Sequence, residues 1–264
     1  MKITHYLYNA FVIESGNRKI AIDPGGLFLY FFRMSTLIPQ SEWSSITHLL
    51  VTHGDPDHYW HFGGVLDASG AEVICGRAMV EQIGGRKYLL GPRSRGLAFT
   101  LPVPNPHAIG VGESVEVDGV GFSGIKTVHG QLLIKIGPLA KIIKPGPKER
   151  LGWGAMGFNI ELDGKKLINL GDTLLQARDW QSLSVPDVLM IPIGGRAIHN
   201  TMNEEEALQA VEIIKPRLVI PCHYNCPAFF TKRYNPADAQ KFKTRVEGLG
   251  FECAILGSRD SIEI

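Results

Sequence analysis

The chain has 264 residues, 44% hydrophobic and 20% charged, with a formal net charge of +1 from 27 Lys and Arg against 26 Asp and Glu. That length admits a sizeable core, the composition is that of a globular protein, and the near-neutral balance gives no global pull toward nucleic acid or an acidic membrane surface. The four Cys (Cys75, Cys222, Cys226 and Cys253) are scattered and read as reduced thiols. Met1 leads straight into a strand pattern with no signal peptide. The run Leu27 to Phe32 is ended by Arg33 and is too short to span a bilayer. A soluble, cytoplasmic protein of one domain, residues 1–264, is expected.

In chain order, Lys2 to Tyr8, Ala10 to Glu14 and Lys19 to Asp23 read as strands, with Ser15-Gly16-Asn17-Arg18 a hairpin turn and Asp23-Pro24-Gly25-Gly26 a break. Residues 27–45 are an insertion without clear period. Ile46 to Thr52 is a buried strand. Tyr59 to Ala68 reads as a short helix, Glu72 to Cys75 as a strand, and Ala78 to Ile83 as a second short helix. Residues 84–110 and 137–155, rich in Gly, Pro and basic residues, read as long loops. Ser114 to Val117 and Val120 to His129 are strands. Met156 to Leu162 and Lys166 to Asn169 form a hairpin around Asp163-Gly164. Val188 to Ile193 is a strand. Asn203 with Glu206 is a capping box for a helix whose apolar face is Ala207, Ala210, Val211 and Ile214. Pro216 stops that helix. Arg217 to Pro221 is a strand, followed by a helix (236–248) and a strand (251–256).

The chemistry concentrates at Thr52-His53-Gly54-Asp55-Pro56-Asp57-His58, directly after a buried strand. Imidazole and carboxylate are the types a divalent metal selects. Four such groups side by side in a packed core would each need a partner. Further candidates follow other strands: His129 after Ile125 to Val128, Asp172 after Leu167 to Gly171, and His223 after Leu218 to Cys222. The metal-ligand candidates are thus His53, Asp55, Asp57, His58, His129, Asp172 and His223.

With Asn169-Leu170-Gly171-Asp172-Thr173, Pro192-Ile193-Gly194-Gly195 and Ile220-Pro221-Cys222-His223-Tyr224-Asn225, these motifs cover nearly the whole chain. In them the chain resembles the metallo-β-lactamase superfamily, and within it the stand-alone hydrolases similar to ascorbate-6-phosphate lactonase. The resemblance implies an α/β fold, a four-layer αββα sandwich of two mixed sheets flanked by helices, with metals at one edge. It implies that one ion takes His53, the residue at 55 and His129, that a second takes Asp57, His58 and His223, and that Asp172 bridges them. It further implies that a metal-bound hydroxide attacks the substrate. Two divalent ions, zinc or manganese with iron also admitted, are the cofactors expected.

The family usually has His where this chain has Asp55. Asp55 is either an oxygen ligand, shifting preference from zinc toward manganese or iron, or a helix N-cap with Pro56 at the first helical position. Asp57, on the second ion, and His199, in a loop between a strand and a helix, are the candidate catalytic residues; His199 is a donor to substrate or an exposed loop residue. Arg196 on the same loop is a candidate anion binder. Asp23 either orients a ligand His or forms a turn. His61 reads as a neighbour of the ligands or a surface residue, and His5, His48 and His107 as structural or exposed. Adjacent residues of an extended chain face opposite ways, so only one of Cys222 and His223 faces the site, and His223 is the better ligand. The basic residues Arg86, Lys87, Arg93 and Arg95, with Lys135, Lys141, Lys144, Lys148 and Arg150, read as solvated loops, or as loops that steer an anionic substrate.

The function expected is a metal-dependent hydrolase of a small, anionic ester, lactone or phosphodiester. A di-iron redox protein and a non-catalytic metal-binding protein are the alternatives. A nuclease would carry an inserted domain and a basic surface, both missing here. The partners expected are the small substrate and, in a homo-oligomer, further copies of the chain, with no nucleic acid and no membrane.

Overall fold

A computed structural model describes residues 1–30, 33–94, 97–136, 139–146, 150–228 and 231–264. Two seven-stranded mixed sheets organise it. The first runs His107–Ile109, Glu72–Gly76, His48–Val51, Arg18–Ile22, Phe11–Ser15, Lys2–His5 and Ser261–Glu263 in spatial order. The second runs Ser114–Val117, Val120–Lys126, Met156–Leu162, Lys165–Asn169, Val188–Pro192, Leu218–Cys222 and Glu252–Cys253.

The side-chain period of two sorts each strand into two layers. Phe11, Ile13, Ile20 and Ile22 meet Phe122, Phe158, Ile160, Val188 and Met190 between the sheets. The alternate residues Val12 and Ala21 face outward against Trp43, Phe62 and Val65 of the helical layer over the first sheet. Leu189, Ile191 and Val219 do the same against Ala207, Val211, Phe242 and Val246 over the second. Strands buried on both faces read as unbroken apolar runs, as in Val188–Pro192 and Leu218–Cys222. The result is the expected αββα sandwich. Burying one such side chain is worth about 1.5–3 kcal/mol. Among the described residues no helix is long and apolar enough to cross a membrane.

The helix Glu204–Ile214 starts at the predicted capping box: Asn203 accepts from the amides of Glu205 and Glu206, and Glu206 accepts from the amide of Asn203. It ends at Lys215 in the left-handed region, directly before Pro216.

Three segments differ from the sequence expectation. Residues 78–83 are not a helix: one 3-10 turn, Arg77–Met79, leads into the strand Val80–Ile83. The supposed loop 84–110 holds the strands Arg86–Ser94, Leu97–Pro102 and His107–Ile109, the first two completing a three-stranded sheet with Val80–Ile83. Gly84 and Gly85 supply the positive φ of the turn that joins Val80–Ile83 to Arg86–Ser94. Within 137–155, Leu139–Ile143 pairs with Leu132–Ile136 as a hairpin. The insertion after residue 27 also folds back, as Gly26–Tyr30 on Arg33–Thr36. Its Phe31 and Phe32, like Arg95 and Lys148, lie outside the described residues.

His48 is structural. It is buried between the sheets, with Nε2 3.0 Å from the Val117 carbonyl and Nδ1 2.8 Å from the Thr47 hydroxyl. Burial pulls its pKa below the ordinary 6.5, against the Val117 carbonyl, which favours the charged form. The unfolded chain therefore takes up a proton first as pH falls through about 6.5, and stability drops by at most about 1.4 kcal/mol per pH unit from this group. In urea unfolding of the metal-free protein between about pH 7.5 and about pH 5.5, the wild type is expected to lose more stability than His48→Gln. Equal losses would show that His48 carries none of the acid sensitivity.

Candidate metal centre

The strands that end before His53, Asp172 and His223 each pair parallel with at least one neighbour, whereas Val120–Lys126, before His129, is antiparallel to both of its neighbours. His48–Val51 pairs parallel with Arg18–Ile22 and Glu72–Gly76 in the first sheet, and Val188–Pro192 pairs parallel with Lys165–Asn169 and Leu218–Cys222 in the second. Open sheets of this kind bind ligands beyond the carboxyl ends of such strands. His53, Asp172 and His223 leave those ends, and His129 follows Val120–Lys126. Two contacts lock the last loops together: the amide of Val128 donates to Thr173 Oγ1 at 3.0 Å, and the amide of Leu174 donates to the Val128 carbonyl at 2.8 Å.

All seven candidates converge. Among the described residues, His53, Asp55 and His129 form one group whose ligand atoms lie within 4.8 Å of one another, as do Asp57, His58 and His223, and also His53, His58 and Asp172. Asp55 Oδ2 is 3.7 Å from His53 Nε2 and 3.6 Å from His129 Nε2. Asp57 Oδ2 is 3.6 Å from His58 Nε2 and 3.2 Å from His223 Nε2. Asp172 Oδ2 lies between the two groups, 3.7 Å from His129 Nε2, 3.8 Å from His58 Nε2 and 3.2 Å from His223 Nε2.

Each imidazole turns Nε2 inward because Nδ1 has a partner outside. His58 Nδ1–H donates to Asp23 Oδ2 at 2.7 Å, His129 Nδ1–H to the Gly130 carbonyl at 2.8 Å, and His53 Nδ1–H faces Thr52 Oγ1 at 3.1 Å. His223 Nδ1 meets the Asn235 amide at 2.8 Å. The Nε2 atoms of His53 and His58 and Oδ1 of Asp172 are buried without a hydrogen-bond partner. Orphaned buried polar atoms are rare and costly. Inward lone pairs and carboxylate oxygens from both sheets fit divalent cations.

Electrostatics point the same way. Burial alone would raise the Asp57 carboxyl, but His58 and His223 override it and hold it well below the usual carboxylate range. Burial likewise opposes the charged form of His53, yet Asp55 and Asp172 raise it to about 9. Cations entering here take the place of those protons.

Asp55 has the backbone position of one reading and, in its side chain, the placement the other needs. Its backbone sits at the N-cap position of the helix Pro56–Tyr59, with Pro56 at the first helical residue, but its side chain makes no cap bond. Instead Oδ1 accepts from the Gly152 amide at 2.6 Å, which leaves Oδ2 toward His53 and His129. Gly152 is required there: its φ is +60°, and an added Cβ would lie 2.4 Å from the His129 ring.

Asp23 orients His58, as one of its two readings held, while also accepting from the Thr52 amide and hydroxyl and from Asn9. Cys222 turns into the layer between the sheets and His223 into the cluster. The structure does not bring His199 to the cluster: its imidazole is 62% exposed, with Glu206 as an ion-pair neighbour at 4.0 Å. Arg196 pairs with Glu204 at 3.0 Å. His61 packs its ring on Trp43, His107 pairs with Glu72, and His5 is buried against the Leu256 and Tyr8 carbonyls. Arg150 is not a solvated loop residue: it is buried, with Glu81 3.6 Å away.

Sequence reasoning missed Gly152, Asn9, Asn169 and Asn235. Asn9 and Asn169 form a reciprocal amide pair at 2.9 and 3.0 Å, tying the Asp23 carboxylate in the first sheet to the turn before Asp172 in the second. Of the four only Asn169 carried a signal, its place at the end of the strand Lys165–Asn169.

A profile of the "Beta-lactamase superfamily domain" matches residues 2–223. A UPF0173 metal-dependent hydrolase of Alkaliphilus metalliredigens is 30% identical over 249 residues, covering 94% of this chain and 93% of that protein. One of Pyrococcus furiosus is 31% identical over 267 residues, covering all of both. Among solved structures, Igni18, a metallo hydrolase from Ignicoccus hospitalis, superposes with a TM-score of 0.66 at 21% identity over 100% of this chain and 98% of that one. CmlA, a diiron β-hydroxylase from Streptomyces venezuelae, gives 0.62 at 11% identity over 100% of this chain and 54% of that one. The two structures share the fold with this chain. By the profile match and the near full-length relatives, the chain belongs to the β-lactamase superfamily, among its UPF0173 metal-dependent hydrolases.

Proposed function

We propose that this one-domain chain is a hydrolase that holds two divalent ions, one on His53, Asp55 and His129, the other on Asp57, His58 and His223, with Asp172 shared. The observation that carries this is the placement of Asp172 Oδ2 within 3.8 Å of Nε2 of His58, His129 and His223, which belong to both groups. When bound, such ions lower the pKa of shared water, polarise the scissile bond and stabilise the leaving oxygen. The chain's own residues orient the ligand set and meet the substrate. Asp23 fixes the ring of His58. Asp57 has a side chain 16% exposed, against 9% for Asp55 and 2% for Asp172. It is therefore the carboxylate placed nearest entering substrate, and the imidazoles of His58 and His223 keep it ionised there. His199, on the exposed loop that reaches Gly130 through Asn200, contacts the substrate from the rim.

The substrate is a small anionic ester, lactone or phosphodiester, with sugar-phosphate lactones first in line from the lactonase-like motifs. Three carboxylates in the set favour harder ions, manganese or iron beside zinc. Four free, buried thiols suit a cytoplasmic setting.

Elemental analysis of the purified protein should return about two ions per chain. Turnover of a lactone, phosphodiester or phosphorylated-sugar panel should depend on added zinc, manganese or iron. Full turnover by chelated, metal-free protein would overturn the reading. Iron with an oxygen-dependent optical spectrum and no hydrolysis would favour the redox alternative, whose support is the carboxylate at Asp55.

A further inference from the structure

Three of the four imidazoles in the cluster have an oxygen opposite Nδ1: a carboxylate for His58, a carbonyl for His129 and a hydroxyl for His53. His223 is the exception. Its Nδ1 lies 2.8 Å from the amide nitrogen of Asn235, a fully buried residue, while Asn235 Oδ1 is buried with no hydrogen-bond partner. The arrangement suits an imidazole whose proton sits on Nε2, the atom 3.2 Å from both Asp57 and Asp172. A cation bound at Nε2 forces that proton to Nδ1, and Nδ1–H then faces a donor.

An amide presents oxygen and nitrogen in nearly the same shape, so half a turn about its Cβ–Cγ bond exchanges them. Oδ1 then accepts from Nδ1–H, and its isolation ends. A carboxylate such as Asp23 can only accept; an amide serves either tautomer. The backbone around Asn235 is fixed for this. The amide of Asn225 donates to the Asn235 carbonyl at 2.8 Å, the amide of His223 donates to the Tyr8 carbonyl at 3.0 Å, and the Tyr8 ring packs edge-on against His223 at 5.5 Å.

We propose that Asn235 is a positioning residue for the second ion: its side-chain oxygen holds the Nδ1–H of His223 and so aims Nε2 at the cation. This rests on the dinuclear reading above. Asn235 has φ +54°, a region that Gly and Asp also adopt, so Asn235→Gly and Asn235→Asp keep the backbone.

The test is zinc binding to metal-free protein, followed by calorimetry and chelator competition. Asn235→Gly is expected to weaken one of two zinc equivalents by roughly 10–100-fold and to leave the other within a few-fold. Asn235→Asp, which must accept, is expected to bind at least as tightly as wild type. In the zinc-loaded wild type, histidine ¹⁵N spectra should show His223 as the Nδ1–H tautomer with a slowly exchanging ring proton. Wild-type affinity in Asn235→Gly, or an Asn235→Asp as weak as the Gly variant, overturns the proposal and leaves the dinuclear reading standing. A wild type that binds no zinc overturns that reading first and this one with it.

Discussion

Asp172→Ala is expected to lose metal-dependent turnover by roughly a thousandfold or more, since metal assistance is worth several kcal/mol in the transition state and each 1.4 kcal/mol is tenfold. The reason is position. Asp172 Oδ2 faces imidazoles of both groups, whereas Asp55 faces His53 and His129, and Asp57 faces His58 and His223. Removing Asp55 should cost one ion of two, and removing Asp172 should weaken both. Ion content per chain, measured beside kcat/KM, separates these outcomes. In the metal-free protein Asp172→Ala takes a counter-charge away from the His53 and His223 imidazoles, so urea unfolding should show a loss of about 1–3 kcal/mol beside the loss of ions. A variant that keeps two ions and turnover within about tenfold of wild type would remove Asp172 from the shared position.

Much of this cluster was legible because its candidate ligands stand just after apolar strands. His53, His129, Asp172 and His223 each end a run such as Leu218 to Cys222, whose burial on both faces is written in its side chains. Asp55 posed a choice between cap and ligand that spacing could not decide. The backbone took the cap position, and Gly152, 97 residues away, left one carboxylate oxygen free toward the imidazoles. The hairpin at 80–94 was hidden for a different reason. Gly84-Gly85 and the basic residues after it look like a loop locally, and only cross-strand pairing together with burial of Leu89 makes them strands. Asn235 gave no signal at all. It stands before Pro236, where a turn or helix start is the ordinary reading, and its partner is twelve residues back across a loop.

Asp23→Ala should be the most destabilising change near the site. The Asp23 carboxylate accepts four buried hydrogen bonds, from the Thr52 amide at 2.7 Å, the Thr52 hydroxyl at 2.6 Å, Asn9 Nδ2 at 2.7 Å and His58 Nδ1 at 2.7 Å. Each abandoned donor costs about 1–3 kcal/mol, and the neighbours relax in part, so a loss of about 3–5 kcal/mol is expected. Urea unfolding of the metal-free protein measures it, and a loss under about 1 kcal/mol would show that these bonds contribute little. Asp23→Asn separates orientation from stability. It fills the same space and tolerates the φ of +47°. It keeps one acceptor oxygen, but its other arm is a donor facing donors. Its stability should fall less, while metal affinity drops by roughly 10–100-fold as the hold on His58 slackens. The loss should extend beyond His58. Asn9 bonds Asp23 and Asn169 together, and Asn169 Oδ1 accepts from the Gly171 amide just before Asp172. A fault at Asp23 thus reaches the shared carboxylate through one buried amide pair, and Asp23→Asn is expected to weaken both ions, where Asn235→Gly weakens one.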